Sequence, residues 1–283
     1  MLHYDFMQRA FLAGGAIAMI ASVLGVYLML RGQALMADML SHVSLAGVTA
    51  GALARGSPAL AGFVVAVIGA IVAENVRRSY RSYSDVSVAI IMIGGLSTAV
   101  VLMSLNPGVG RSFSSYLFGS VVAVRQTEIG LIAAVAVVGG AFFYLCRKAL
   151  YLMAFDEETA QVRGIPVRLV SLLFSTMTGM IVAAAMPIVG VLLVSSLIVL
   201  PAALAIRVAP SFNAAVGLAM LVGVGGVFTG LSASYELSTP PGGTIALTLL
   251  VILGAGIALK KAAIKISVLR GRSRRISRNE KLV

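Results

Sequence analysis

Apolar runs close to the thickness of a lipid bilayer recur along the whole chain, and this feature decides what the chain can fold into. Segments such as FLAGGAIAMIASVLGVYLML (11–30) and AVGLAMLVGVGGVFTG (215–230) approach the roughly 20 residues that an α-helix needs to cross about 30 Å of hydrocarbon. Strands of a membrane barrel would place polar residues at every second position over segments of about ten, and no such alternation is present. With 59% hydrophobic and only 11% charged residues, a water-soluble core is excluded. The expected fold class is all-α, a polytopic transmembrane helical bundle of about 8–9 spans with no soluble domain.

Apolar runs and their breakers predict helices near 10–30, 34–54, 58–76, 86–104, 127–146, 168–186, 188–208, 212–231 and 243–260. Expected interruptions are Gly56 to Pro58, Asn106-Pro107-Gly108, Pro187, Pro210 and the Thr239-Pro240-Pro241-Gly242-Gly243 turn. Residues 1–262 form the membrane domain and 263–283 a basic cytoplasmic tail. The N-terminal stretch MLHYDFMQR carries Asp5 and shows no small-residue cleavage pattern, so the first segment is expected to be retained.

Nine of the 22 basic residues fall between Lys260 and Lys281, directly after a spanning helix, where they read as an anchor to anionic membrane lipid rather than as a nucleic-acid surface. Basic residues in short loops stay on the cytoplasmic side during insertion. Placing the tail inside and alternating back through nine spans puts Arg31, Arg77, Arg78, Arg81, Arg147, Lys148, Arg163, Arg168 and Arg207 inside as well. Only Arg9, Arg55, Arg111 and Arg125 remain outside. The chain is therefore read as a multi-pass protein of the cell membrane with a cytoplasmic C-terminus; an even span count would flip the N-terminus. The outer gap at 106–124 reads as a loop followed by a short in-plane or re-entrant helix.

The inner gap, 147–168, carries Asp156, Glu157 and Glu158. Asp156 suits an N-cap, the two glutamates suit the positive end of a helix, Gly164 suits a left-handed C-terminal position, and Pro166 stops propagation. A short cytoplasmic helix at about 156–163 is expected, against the alternative of a solvated loop.

Within the spans, Asp38 and His42 stand at i,i+4 and so project from one helix face. A carboxylate and an imidazole there could ligate one divalent ion, or could pair with each other or with water. One pair supplies two ligands, and a two-fold homodimer would supply four. Glu74, beside Arg77 and Arg78, reads as an interfacial ion pair, Asp85 as the cap of a helix starting at Val86, and Glu236 as part of an external loop. The 13 methionines read as packing, and Cys146, the one cysteine, as unremarked packing near a helix end. No Gly-x-x-x-x-Gly-Lys-Ser/Thr loop is present, so ATP hydrolysis is left to a partner and the chain is read as a non-catalytic subunit with no permanently bound cofactor.

The segment LRGQALMADMLSHVSLAGVTAGAL (30–53) resembles the second-helix signature of the permease subunits of zinc, manganese and iron ABC importers. The shared positions are Leu30, Arg31, Leu35, Asp38, Ser41, His42, Leu45 and Gly47, while Ala34 and Ala46 replace a usual serine and proline. SYLFGS (115–120), AFDEETAQVRGIPV (154–167), LLVSSLIVLPAALA (192–205) and ELSTPPGGTIAL (236–247) extend the resemblance over nearly the full length. It implies metal-ligand roles for Asp38 and His42. It also implies an ATPase-coupling element built on Asp156, Glu157, Glu158, Ala160 and Gly164, and as partners a cytoplasmic ABC ATPase, an extracellular metal-binding lipoprotein and a second copy of the chain. The opening FMQRAFLAGG and the SHVSLAG variant are similar to zinc permeases of Gram-positive bacteria, so Zn2+ is the expected cargo, with Mn2+ or Fe2+ as alternatives. A permease for a cobalamin- or siderophore-like ligand and a proton-driven secondary transporter are the competing classes; the latter predicts an inverted repeat, and none is evident.

Overall fold

The computed structural model describes residues 5–79, 84–105, 116–120 and 126–280, and its regular elements there are α-helices. In chain order they are α1 (Asp5–Leu30), α2 (Leu35–Leu53), α3 (Pro58–Ser79), α4 (Ser84–Ser104), α5 (Gln126–Leu145), α6 (Arg147–Phe155), α7 (Glu157–Val162), α8 (Val167–Val189), α9 (Val194–Val208), α10 (Phe212–Leu237) and α11 (Pro241–Glu280). Among these, α1, α3, α4, α5, α8, α10 and α11 contain seven stretches long and apolar enough to cross a membrane. The helix α9 is apolar but has 15 residues. At 19 residues, α2 reaches roughly 28 Å at about 1.5 Å per residue, and Asp38 and His42 lower its apolar character. It tolerates them because protein rather than lipid surrounds it: 14 of its 19 residues are buried, against α3, α4, α8 and α9.

Close backbone approach fixes α2 in that position. A Cβ on Gly47 would lie 2.6 Å from the Val65 side chain and 2.7 Å from the Ala61 carbonyl, so the shared Gly47 is required by the crossing with α3. Ser44 Oγ adds a 3.1 Å hydrogen bond to the Gly62 carbonyl. With alanine at position 46 instead of proline, α2 continues without interruption through that position.

Contacts between helix ends define the two sides of the bundle. At one end Arg31 reaches Ser171 at the start of α8, Nη2 to Oγ 2.8 Å, while Phe212 at the start of α10 packs between Tyr27 and Tyr151 with ring centroids 5.3 and 5.0 Å away. Lys260 Nζ donates to the Arg207 carbonyl. That end gathers Arg31, Arg77, Arg78, Arg147, Lys148, Arg163, Arg168 and Arg207, whereas Arg9 and Arg55 lie at the far ends of their helices. The helices alternate as the charge distribution predicts.

Three segments meet at the opposite end. Val191 N–H donates to the Tyr116 carbonyl at 2.9 Å and Ser120 N–H to that of Pro187 at 3.2 Å. Gly119 and Gly190 have φ of +75° and +87°, and a Cβ on Gly242 would lie 1.8 Å from the Val189 carbonyl. Residues 116–120, 187–192 and the Gly242 turn thus converge where residues without side chains let backbones touch.

Several boundaries differ from expectation. Pro187 does not end its helix: α8 continues to Val189 and breaks at Gly190, because proline removes one N–H bond whereas the left-handed Gly190 redirects the backbone. The helix α10 extends to Leu237, so Glu236 is helical rather than in a loop, and α11 begins at Pro241, shortening the predicted turn. Asp85 lies inside the first turn of α4, not at its cap. His3, Arg81, Arg111 and Arg125 and most of the 106–124 segment lie outside the described residues.

Candidate functional site

Asp38 and His42 occupy one strip of α2, and it is the strip the bundle leaves least covered. Leu35 and Ala50 are exposed on it, Asp38 is partly exposed, and His42 and Ala46 are the least buried of the helix's interior positions, at 9% each. The His42 Nε2 and Asp38 Oδ1 atoms are 3.9 Å apart, beyond hydrogen-bond range. Two ligands holding one tetrahedral ion at bonds of about 2.1 Å stand roughly 3.4 Å apart, so a small rotamer adjustment brings both onto one ion. Ser41, between them in the motif, donates to the Asp38 carbonyl at 2.7 Å and is fully buried; its role is in the helix, away from the open strip. Among the described residues no group of three or more His, Cys, Asp or Glu side chains comes together. A four-ligand site around Asp38 and His42 therefore needs donors beyond these described residues, and a symmetric second copy of the strip would supply them.

The expected short helix at 156–163 is present as α7. Asp156 caps it, accepting from the Glu158 and Thr159 amides at 3.0 Å each and from the Thr159 hydroxyl. These bonds, the hydroxyl's first, hold the Asp156 carboxyl below its usual range. The cap is thus present at neutral pH and is lost as pH falls through that lowered value. At the other end Gly164 has φ +80°; its N–H bonds the Gln161 carbonyl, and the Ile165 N–H that of Ala160, at 3.0 and 3.2 Å. This is the double closure of a Schellman motif. Ala160 is fully buried in the main core and anchors α7 to the bundle, leaving Glu158 exposed. A cleft of about 1060 Å3 lies beside α7, lined by Arg77, Arg78, Glu157, Glu158 and Arg168 among others.

A Cβ at Gly164 would meet nothing within 4 Å, so Gly164→Val carries only the left-handed backbone penalty, roughly 1–2 kcal/mol. If α7 has the ATPase-coupling role that the sequence resemblance implies, the variant is expected to stimulate a partner ATPase less while metal binding is unchanged. Unchanged hydrolysis and co-purification in the reconstituted complex would make α7 a passive loop closure.

Glu74 is the residue whose setting the sequence did not reveal. It is fully buried, not interfacial: its carboxylate accepts from Arg77 Nη2 at 2.9 Å, Arg78 Nε at 2.7 Å and Ser175 Oγ at 3.0 Å. Arg77 and Arg31 both reach Ser171, the latter with its guanidinium 4.8 Å over the Phe174 ring. Burial first, then the neighbouring Arg77, pulls Arg31 down to about 10, so it stays charged at neutral pH. Arg78 completes the connection to α7, lying 3.9 Å from Glu157. In the sequence Arg31 reads only as an inner-side cation and as a shared position of the resemblance; the Ser171 and Ser175 pair on α8, spaced i,i+4 within an apolar span, is the signal that points to the network.

Residues 3–260 match the ABC 3 transport family. The chain is similar to a probable metal transport system membrane protein of Treponema pallidum, 32% identical with 92% of this chain and 97% of that protein covered. It is also similar to the high-affinity zinc uptake system membrane protein ZnuB of Haemophilus influenzae, 30% identical over 88% of this chain and 97% of that one. Further relatives are named for manganese and for chelated iron. In fold it matches a chain of PsaBC from Streptococcus pneumoniae in complex with Fab, with a TM-score of 0.79, 24% identity and coverage of 89% and 91%.

Proposed function

The chain belongs to the ABC 3 transport family, and we infer on that premise that it is the membrane-spanning permease subunit of an ATP-driven importer for a divalent transition metal. The observation that carries the reading is the Asp38 and His42 pair on the open strip of a helix that is otherwise enclosed. A charged side chain in a span costs roughly 2.5–3.5 kcal/mol even on the lenient insertion scale, and a cation held between two such strips offsets that cost.

Two copies of the chain pair around these strips and present two carboxylates and two imidazoles to the ion. An extracellular metal-binding lipoprotein delivers it, and a cytoplasmic ABC ATPase docks on α7, where the exposed Glu158 and the adjoining cleft face it. The basic end of the bundle and the C-terminus are cytoplasmic. Closure of the nucleotide-binding subunits moves α7 and opens the strip to the inside. Zinc is the favoured cargo, supported by the N-terminal resemblance and by the zinc-named relative. The donor types alone suit manganese and iron too, since imidazole and carboxylate serve all three.

The test is reconstitution with the ATPase and lipoprotein in proteoliposomes, measuring uptake of radioactive zinc against manganese and iron. ATP-dependent accumulation, fastest for zinc, is expected. Uptake driven by a proton gradient without ATP would make the chain a secondary transporter, and ATP-dependent uptake of a cobalamin or siderophore with no free-metal transport would make Asp38 and His42 incidental.

A further inference from the structure

On the side of the bundle away from α2, α1, α5 and α10 leave an apolar groove of about 570 Å3, with Met19, Val23, Val137 and Val216 among its lining. Two glycines hold it open: a Cβ on Gly140 of α5 or on Gly217 of α10 would meet nothing within 4 Å. The groove runs into a second cavity of about 550 Å3 lined by Arg147, Lys148 and Arg163 together with Ser211 and Tyr151. Arg147, Phe212 and Asn213 line both. None of the three cations pairs with a carboxylate among the described residues.

We propose that this joined cavity is a binding site for one anionic phospholipid, its phosphate held by Arg147 and Lys148 and an acyl chain lying in the groove. An apolar slot opening toward lipid and closed at the membrane surface by unpaired cations matches such a molecule in both shape and charge. Basic pockets at the ends of spanning helices bind acidic headgroups on this principle, and each cavity has the size of a small-molecule site. Phe212, packed between Tyr27 and Tyr151, stands where headgroup and chain would join. The site is separate from the basic tail. It rests on the chain spanning a membrane but not on which ion is carried.

The experiment uses the full permease and its ATPase in nanodiscs of phosphatidylcholine containing a minor fraction of phosphatidylglycerol. Lipid retained after detergent extraction is counted by native mass spectrometry. Wild type should retain phosphatidylglycerol over phosphatidylcholine. Each basic residue near the membrane surface contributes about fivefold, so Arg147→Gln with Lys148→Gln should cut the preference by roughly 25-fold. The groove-filling pair Gly140→Leu and Gly217→Leu should lower retention of phosphatidylglycerol with every charge intact. The tail is the same in all variants, so its contribution cancels. Equal retention of both lipids by the wild type would overturn the site. So would competition by soluble glycerol phosphate with no effect of the groove variants, which describes a free-phosphate pocket. Loss of the ATPase with unchanged lipid retention in the charge variant would assign the cations to protein docking. Transport is not read in any arm, so the outcome is independent of the metal assignment.

Discussion

Replacing Asp38 or His42 with alanine should abolish ATP-driven metal accumulation while leaving the protein folded, inserted and bound to its ATPase. In the proposed dimer each substitution removes two of four ligands. The loss should exceed the roughly 10–100-fold that changes even to groups behind metal ligands commonly produce. A folding explanation is separable here because Asp38 lies on the open strip and makes no close ion pair, its distance to His42 being 3.9 Å; its removal leaves no buried charge without a partner. The His42 Nδ1 atom is buried without a hydrogen-bond partner, so the ring is not secured by that nitrogen, and the free Nε2 is the donor on the Asp38 side. Uptake by both variants is measured alongside thermal unfolding and ATPase co-purification. Wild-type uptake by each variant would sink the ligand assignment. Reduced uptake with equally reduced melting temperature would show a packing role.

The helices were legible because a lipid environment imposes one rule, apolar residues over a bilayer's length, on every lipid-facing span. That rule gave both ends of α3, α4, α5 and α8 to within three residues, whereas α1 starts five residues earlier than read and α10 and α11 run six and 20 residues past their predicted ends, α11 continuing to Glu280 through the segment read as the basic tail. It says less about α2, whose neighbours are protein: 14 buried residues include Ser41, His42, Ser44 and Thr49, which no lipid-facing helix would place together. The i,i+4 spacing of Asp38 and His42 was readable, but which side of α2 stays open depends on α3, α4, α8 and α9 and is a property of packing. Pro187 shows the same limit in the backbone. A proline marks a lost N–H, whereas the actual break at Gly190 is stabilised by residues 116–120 bonding across it, a contact between segments far apart in sequence.

The short helix α7, proposed as the coupling element, was more legible as a helix than any other part outside the spans. Its geometry is local: Asp156, Ala160 and Gly164 set the start, anchor and end of a helix within nine positions. Local rules suffice where all the partners lie within one turn or two. Glu74 is the opposite case, because a glutamate followed by arginines at i+3 and i+4 reads the same in water and in a core. Its burial is decided by Ser175, 101 residues away.

That burial carries a second large expectation: Glu74→Ala should destabilise the permease by about 3 kcal/mol or more, within the roughly 3–5 kcal/mol that follows when one partner of a buried ion pair is removed. The carboxylate side chain is 1% exposed and its guanidinium partners 18% and 22%. Arg77 and Arg78 can therefore relax partly toward water, placing the cost toward the lower end, while the fully buried Ser175 loses its acceptor. Glu74→Gln keeps an oxygen for Ser175 but not the charge, and should fall between wild type and alanine. The measurement is thermal unfolding of the purified permease in a fixed detergent, with Arg78→Ala and the Glu74/Arg78 double variant completing a cycle. A strong negative coupling is expected, since the double variant no longer leaves either charge without its partner. If Glu74→Ala melts with the wild type, the network is dispensable for the fold. If it melts lower but the cycle is additive, Glu74 acts through Arg77 and Ser175 alone and the route from α3 through Arg78 to Glu157 on α7 is not energetically connected. Non-additivity would establish an energetic connection between Glu74 and Arg78 at the end of α3, the first step of a route whose second is the Arg78 contact with Glu157 on α7, the short helix on which the ATPase is proposed to push.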